Sequence, residues 1–349
     1  MSELTIDLAT ALTLREKGAL LVDARSPAEF AEATIPGAIN VPIFDNDERA
    51  LVGTLYKQQG PPLARRRGVE IVAPKIPHMV EMVADARGKS RKPVVVFCWR
   101  GGARSRALAS FLDLAGIPAR QVIGGHKAFR AHVREFFEGG EWGRLLVLRG
   151  LTGVGKTRLL LRLRGEGYPV IDLEGLACHR GSAFGGLGLS SQPSQKAFEA
   201  LLWDQLRRIP AGSYALAEGE SRTIGKLVLP AGVYQALQVE TTLWIEASLD
   251  YRVRVILEDY PVAEEARQAY VRPIQALKRR LGKEKVDFLL GLLEKGDWEE
   301  LVGELMVRYY DPLYRHTKPD NRIEVAIEPE EEGLPRLKAA IAEVHKRTA

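Results

Sequence analysis

Short apolar runs alternate with helical patterns along the first part of the chain. Runs at Gly18–Arg25, Lys92–Cys98 and Arg120–Gly125 are typical of buried strands. Between the last two, Ser105–Gly116 has helical spacing and ends at a glycine, which is a helix stop signal. Because strands and helices of these lengths alternate, the pattern predicts a parallel α/β sheet.

A second pattern begins near residue 144. The helical pattern of His126–Phe137 ends in two glycines, and a new apolar run, Arg144–Gly150, follows at once. The sequence therefore predicts a first domain of residues 1–140 and a second of residues 144–349. Beyond residue 263 the pattern becomes helical, so a helical C-terminal part is expected over Ala263–Leu281, Lys285–Lys295 and Trp298–Tyr310.

Composition excludes several classes of protein. The 349 residues are 46% hydrophobic and 27% charged, as in ordinary globular proteins. Two cysteines exclude a disulfide scaffold, and no apolar run is long enough to span a membrane. The acidic N-terminus is unlike a signal peptide, so a cytoplasmic protein with no membrane partner is expected. The net charge of +5 permits a polyanionic partner without requiring one.

A cysteine-containing loop is the sharpest chemical feature of the first domain. Residues Cys98–Ser105, CWRGGARS, lie between a predicted strand and a predicted helix. The backbone N–H groups of such a loop can hold an anion, and with Arg100 and Arg104 they favour a thiolate at Cys98. The alternative is a buried structural cysteine. Cys98 and Arg104 also have the C-x5-R spacing of cysteine phosphatases, and spacing alone leaves that chemistry open.

A P-loop motif opens the second domain. Residues Gly150–Thr157, GLTGVGKT, match G-x4-G-K-[ST] between a predicted strand and a predicted helix. The motif fits the phosphates of ATP and those of a prenyl diphosphate, so its ligand stays open. Thr157 would hold Mg²⁺ if a metal takes part. The predicted diphosphate-binding residues are Gly150, Thr152, Gly153, Gly155, Lys156 and Thr157.

Polar residues beyond the P-loop are candidates for substrate or metal support. Some follow apolar runs, where an ATPase normally carries a metal-binding acid, and their alternative is a solvated loop carboxylate. A histidine in such a place is also commonly structural. The candidates are Asp172, His179, Arg180, Glu218, Glu220 and Arg222.

Two further features are candidate tRNA contacts. Trp99 is placed to stack on a displaced base, although packing is the alternative. Three arginines that follow a Gly-Pro-Pro sequence are predicted to form a basic loop that meets phosphate, with a solvated charge run as the alternative. These residues are Arg65, Arg66 and Arg67.

The ordered motifs of the first domain resemble those of a rhodanese domain. They are Leu21–Phe30, Ile35–Pro42, the Cys98 loop and Val122–Arg130. Rhodanese domains carry sulfur or selenium on the loop cysteine, and Asp23 resembles the acid that braces the active loop in that family.

The chain resembles the bacterial tRNA 2-selenouridine synthases over about residues 5–315. A rhodanese-like parallel-sheet domain is followed by a P-loop NTPase-like α/β domain with a helical C-terminal part. The strings that add to this likeness are Asp172–Gly185, Gln192–Leu206, Glu218–Pro230 and Tyr309–Tyr314.

The resemblance implies a transferase acting on tRNA with 2-thiouridine at the wobble position. That family geranylates the C2 sulfur with geranyl diphosphate and replaces geranylthiol by selenium from selenophosphate. It implies no tightly bound cofactor, a selenophosphate supply, and Cys98, Arg100, Arg104 and Asp23 as catalytic residues. One alternative is a rhodanese- or phosphatase-type cysteine enzyme fused to an ATP-dependent kinase-like domain. Another is a non-enzymatic nucleotide sensor.

Overall fold

The computed structural model describes residues 4–140, 142–239, 241–314 and 318–348. The chain divides into two compact units, one of Met1–Phe136 with Glu199–Leu201 and one of Phe137–Phe198 with Leu202–Ala349. Each unit has a five-stranded sheet in which every neighbouring pair of strands is parallel. The predicted α/β class is therefore confirmed.

The first sheet has the strand order β1-β5-β4-β2-β3, so β4 is central. Its apolar core includes Val22, Val94, Val96 and Leu108. The strands are β1 (Thr5–Ile6), β2 (Leu21–Asp23), β3 (Ile39–Asn40), β4 (Val94–Phe97) and β5 (Ala119–Val122). The helices are α1 (Leu8–Glu16), α2 (Pro27–Glu32), α3 (Asn46–Gln58), α4 (Pro61–Val72), α5 (Ile76–Arg87), α6 (Ala103–Leu114) and α7 (Gly125–Gly139), with a 3₁₀ turn at Ala73–Lys75.

The expected basic loop after Gly-Pro-Pro is wrong, because this segment is helix α4. Pro61 begins the helix, since its fixed φ suits the first helical position and its missing N–H costs nothing there. Ala64, Gly68 and Val72 recur every four residues and are buried, so the apolar stripe fixes the helix on the unit. The three arginines on the solvent side are exposed: Arg65, Arg66 and Arg67.

The second sheet has the strand order β12-β11-β6-β8-β7, so β6 is central. Strands β9 and β10 form a separate antiparallel pair. The strands are β6 (Arg144–Gly150), β7 (Val170–Ile171), β8 (Tyr214–Glu218), β9 (Thr223–Ile224), β10 (Leu227–Val228), β11 (Thr242–Glu246) and β12 (Arg322–Ala326). The first helices are α8 (Lys156–Gly165), α9 (Leu173–Ala177), α10 (Gln195–Leu206), α11 (Ala231–Val239) and α12 (Leu249–Asp259).

The helical part is confirmed, but it is more divided than the pattern predicts. It contains a 3₁₀ turn at Glu264–Ala266, then α13 (Arg267–Ala276), α14 (Lys278–Leu281), α15 (Lys283–Lys295), α16 (Trp298–Leu305), a π-helical turn at Met306–Tyr310 and α17 (Asp311–Tyr314). The chain then returns to the sheet through β12, and α18 (Glu330–Thr348) packs Leu337 and Ile341 into the core there. Among the helices described, none has the length and apolar character needed to cross a membrane.

Candidate functional site

At the carboxyl end of β4, residues of the Cys98 loop contact the Cys98 sulfur. Cys98 is 3% exposed, and its Sγ accepts a hydrogen bond from the Gly102 N–H at 3.3 Å. The hydroxyl of Ser105 lies 3.1 Å from the same sulfur. These two contacts fix the position of the sulfur at the root of the loop.

Two glycines let the loop lie against the turn after β5. Gly101 has φ +65°, and a Cβ there would lie 2.4 Å from the Val122 carbonyl oxygen. Gly125 has φ +56°, and its Cβ would lie 2.1 Å from the Cys98 carbonyl oxygen. The N–H of His126 donates to that same carbonyl at 2.8 Å. Gly125 of the Val122–Arg130 motif therefore serves the cysteine loop directly.

Gln121 holds the loop from the neighbouring strand β5. Its amide donates to the carbonyls of Gly101 at 2.6 Å and Gly102 at 3.1 Å, and to the Ser105 hydroxyl at 3.1 Å. The side chain is 3% exposed, so these bonds are sheltered from water. Sequence reasoning missed this residue, although a glutamine inside an apolar strand pattern is itself a signal of a buried polar contact.

Asp23 acts on the loop through two intermediates. Its buried carboxylate accepts hydrogen bonds from Arg25 Nη2 at 2.7 Å and from Thr34 Oγ1 at 2.8 Å. Arg25 Nη1 in turn lies 3.2 Å from His126 Nδ1, and His126 is the residue whose backbone holds Cys98. Asp23 is thus placed to orient the loop rather than to touch the sulfur.

The two loop arginines have different surroundings. Arg104 donates to both carboxylate oxygens of Glu29, at 2.5 and 3.2 Å. Burial acts to raise the pKa of the Glu29 carboxyl, but Arg104 lowers it below its ordinary value. The charge of Arg104 is therefore already compensated, which does not favour the phosphatase alternative. Arg100 is exposed on the loop.

Trp99 lies at the surface beside the buried cysteine. Its side chain is 36% exposed, and its ring centroid lies 5.8 Å from that of His126 at an angle of 39°. The ring is thus partly accessible, and the stacking role stays a prediction.

The P-loop connects β6 to α8, as its motif predicts. Gly153 and Gly155 have φ values of +84° and +77°, where other residues are strained. A Cβ on Gly153 would lie 2.7 Å from the Arg252 carbonyl oxygen. Arg252 also donates to the Thr152 carbonyl at 2.9 Å and pairs with Asp311 at 2.7 Å. The Tyr309–Tyr314 string therefore supports the P-loop from outside, a role that its sequence does not reveal.

Three glutamates interact near the P-loop: Glu174 is half-buried, and Glu218 and Glu220 are buried. Thr157 Oγ1 donates to Glu174 Oε2 at 3.0 Å, and Glu174 is hydrogen-bonded to Glu220. Burial and the charge of Glu220 raise the pKa of Glu174 to about 8. Burial also raises the pKa of Glu220, and burial with the charge of Glu174 raises that of Glu218. The Glu174 carboxyl is therefore largely protonated at neutral pH.

Of the other residues predicted to support the substrate or a metal, only some lie at the P-loop cavity. Asp172 caps helix α9 by accepting from the Gly175 N–H at 2.7 Å, whereas Glu174, which sequence reasoning missed, reaches the P-loop. Arg180 lines the P-loop cavity and lies over the Tyr260 ring at 4.6 Å. Asp172, His179, Glu218 and Arg222 are outside the lining of that cavity.

The P-loop cavity has a volume of about 510 Å³. Lys156 and Gly150 line the end of this cavity that is predicted to bind phosphate, and Lys156 Nζ lies 3.5 Å from the Gly150 carbonyl oxygen. Arg149, which sequence reasoning also missed, adds a second cation, and burial lowers its pKa. All six residues predicted to bind diphosphate line this cavity: Gly150, Thr152, Gly153, Gly155, Lys156 and Thr157.

Comparison with known proteins agrees with this arrangement. Residues 143–340 match the family profile described as the tRNA 2-selenouridine synthase AAA domain, and residues 7–132 match the rhodanese-like domain. A tRNA 2-selenouridine synthase of Nitrosomonas europaea is 33% identical over 89% of this chain and 92% of its own length. That of Nitrosomonas eutropha is 38% identical over 84% and 87%, and that of Bdellovibrio bacteriovorus is 34% identical over 84% and 87%. The chain therefore belongs to the tRNA 2-selenouridine synthase family.

Proposed function

We propose that the chain is a transferase that converts wobble 2-thiouridine in tRNA to 2-selenouridine in two steps. The observation that carries the proposal is the presence of two anion-binding loops in one chain. One loop surrounds the buried sulfur of Cys98, and the other is a P-loop with Lys156 in a large cavity. Relatives that bear the synthase name match both parts of the chain.

The first step uses the P-loop. The C2 sulfur of thiouridine attacks C1 of geranyl diphosphate, a C–S bond forms, the C–O bond breaks, and diphosphate leaves. Lys156, the loop N–H groups and the N-terminus of α8 stabilise the charge that develops on the leaving group. The oxygens of Thr157 and Glu174 suit a Mg²⁺ ion that shares the diphosphate, because Mg²⁺ commonly takes one or two protein ligands beside phosphate oxygens. Such an ion would supply further positive charge.

The second step uses the Cys98 loop. Selenium from selenophosphate bonds to C2 of the uracil, geranylthiol leaves with a proton, and the phosphoryl group passes to water as phosphate. The loop N–H groups hold the selenophosphate oxyanions, and Cys98 activates this donor, so that selenium stays at the selenide level throughout. Alkylation in the first step makes the sulfur a better leaving group for the second.

Nucleoside mass spectrometry on thiolated tRNA tests both steps. With geranyl diphosphate alone we expect S-geranylated uridine, and with both donors we expect selenouridine. Cys98→Ser should abolish selenation and leave geranylation largely intact, whereas Lys156→Ala should impair geranylation. Cys178→Ser is the matched control, because Cys178 lies in the second unit at the end of α9. Unchanged thiouridine under every condition would refute the proposal.

A further inference from the structure

A small apolar cavity adjoins the P-loop cavity. Its volume is about 50 Å³. The two cavities share four lining residues: Thr152, Ser182, Ile256 and Tyr260. Most of the remaining wall is apolar or aromatic and comes from the helical part, including Tyr270, Trp298, Val302, Leu305 and Tyr310. A ligand held at the P-loop therefore has an apolar space within reach on this side.

The polar groups of the apolar cavity are already bonded to one another. The Tyr270 hydroxyl donates to the Pro261 carbonyl at 2.9 Å. The Ser182 hydroxyl lies 3.3 Å from that of Tyr260 and also bonds Tyr310. A nucleobase or ribose placed here would lose its hydrogen bonds to water without replacing them, which is costly. A hydrocarbon chain loses nothing of that kind and gains from leaving water.

We infer that this apolar cavity receives the hydrocarbon end of the prenyl diphosphate that the proposed function puts at the P-loop, and that Val302 helps to set the chain length. The inference rests on the proposed function and deepens it. The cavity is too small for ten carbons, so it receives only the end of the chain. The preceding carbons lie against Ile256 and Tyr260, which form the wall common to both cavities.

Binding measured by calorimetry on the full chain tests this directly. The probes are inorganic diphosphate, geranyl diphosphate, farnesyl diphosphate and ADP. Each buried carbon contributes about fourfold in affinity, so three carbons in the cavity give about 50-fold. We expect geranyl diphosphate to bind at least about 50-fold more tightly than inorganic diphosphate, and more tightly than ADP.

Two substitutions at one position change the cavity in opposite directions. Val302→Phe fills it and should remove most of the gain from the geranyl chain. Its affinity for inorganic diphosphate should be unchanged, which also shows that the variant is folded. Val302→Ala enlarges the cavity and should shift the preference toward farnesyl diphosphate. Val307→Phe makes the same change at an exposed position of the adjoining π turn and should have no effect.

Three results would overturn the inference: equal affinity for geranyl and inorganic diphosphate, tighter binding of ADP, or a wild-type chain-length preference in both Val302 variants. Its failure is distinct from that of the proposed function. Geranylation of tRNA with no effect of either Val302 variant refutes the cavity alone. Cavity-dependent binding with unmodified tRNA refutes the proposed function alone.

Discussion

Replacement of Glu174 by glutamine should stabilise the second unit, and the gain should grow with pH. Burial and the charge of Glu220 raise the pKa of Glu174 from 4.5 to about 8 in the folded protein. In the unfolded chain the same carboxyl ionises near its ordinary value. Between these two values the folded state binds the extra proton, so the free energy of unfolding falls as pH rises. Glutamine carries no such proton and should be insensitive to it.

The size of the effect follows from the two values. Each pH unit in this window costs up to ~1.4 kcal/mol, so the cost of Glu174 reaches about 3 kcal/mol at pH 7. The amide of Gln at position 174 preserves the contacts of the protonated carboxyl. Its N–H donates toward Glu220, and its oxygen accepts from Thr157, as the carboxyl does now. Little packing is lost that would mask the electrostatic gain.

Urea unfolding followed by tryptophan fluorescence measures this gain. Four of the five tryptophans, at positions 142, 203, 244 and 298, belong to the second unit, so the signal reports mainly on it. The difference between Glu174→Gln and wild type should be near zero close to pH 4.5, and it should level off above about pH 8. Glu265→Gln, at an exposed position, is the control and should show no such trend. A difference that stays constant across this range would show that the reasoning is wrong.

Three other substitutions test the loops and the surface. Gly101→Ala forces a Cβ within 2.4 Å of the Val122 carbonyl oxygen. The substitution should lower the free energy of unfolding by about 2 kcal/mol or more, measured as a lower melting temperature. An unchanged melting temperature would contradict the close approach. Gln121→Leu leaves loop carbonyls unpaired, which should lower the free energy of unfolding by about 1–3 kcal/mol. It should also speed the alkylation of Cys98 by iodoacetamide. An unchanged alkylation rate would mean that the loop keeps its conformation without Gln121. Lys278 and Arg279 are exposed cations in α14, and their joint replacement by glutamate should weaken tRNA binding and lower its salt slope by about 2. An unaltered salt slope would show that α14 does not contact the tRNA.

Local motifs predicted both chemical loops because each is specified over a few consecutive residues. The P-loop needs glycines, a lysine and a threonine at fixed spacing, and those residues line one cavity. The supports of these loops were not predictable in this way. Arg252 lies 100 residues from the Thr152 carbonyl that it holds, and Gln121 comes from the next strand. Such pairs exist only after the strands have been ordered in the sheet.

The α4 segment shows a different limit of sequence reasoning. Gly60 and the prolines after it predict a turn, and three consecutive arginines predict a solvated loop. The same proline can also begin a helix, and the buried positions Ala64, Gly68 and Val72 decide between the two. That spacing was visible in the sequence but was outweighed by the charge run. Strand β12, which follows the helical part and pairs only with β11, was also not predicted.

Both chemical loops leave the middle strand of a five-stranded sheet, β4 in one unit and β6 in the other. A middle strand is hydrogen-bonded on both sides, whereas three of the four outer strands, β1, β3 and β7, have only two residues each and one neighbour. Backbone amides at the roots of the two loops should therefore exchange with deuterated solvent only in rare, large openings, while these short outer strands fray often. The edges of each sheet can thus open locally while the Cys98 loop and the P-loop keep their positions.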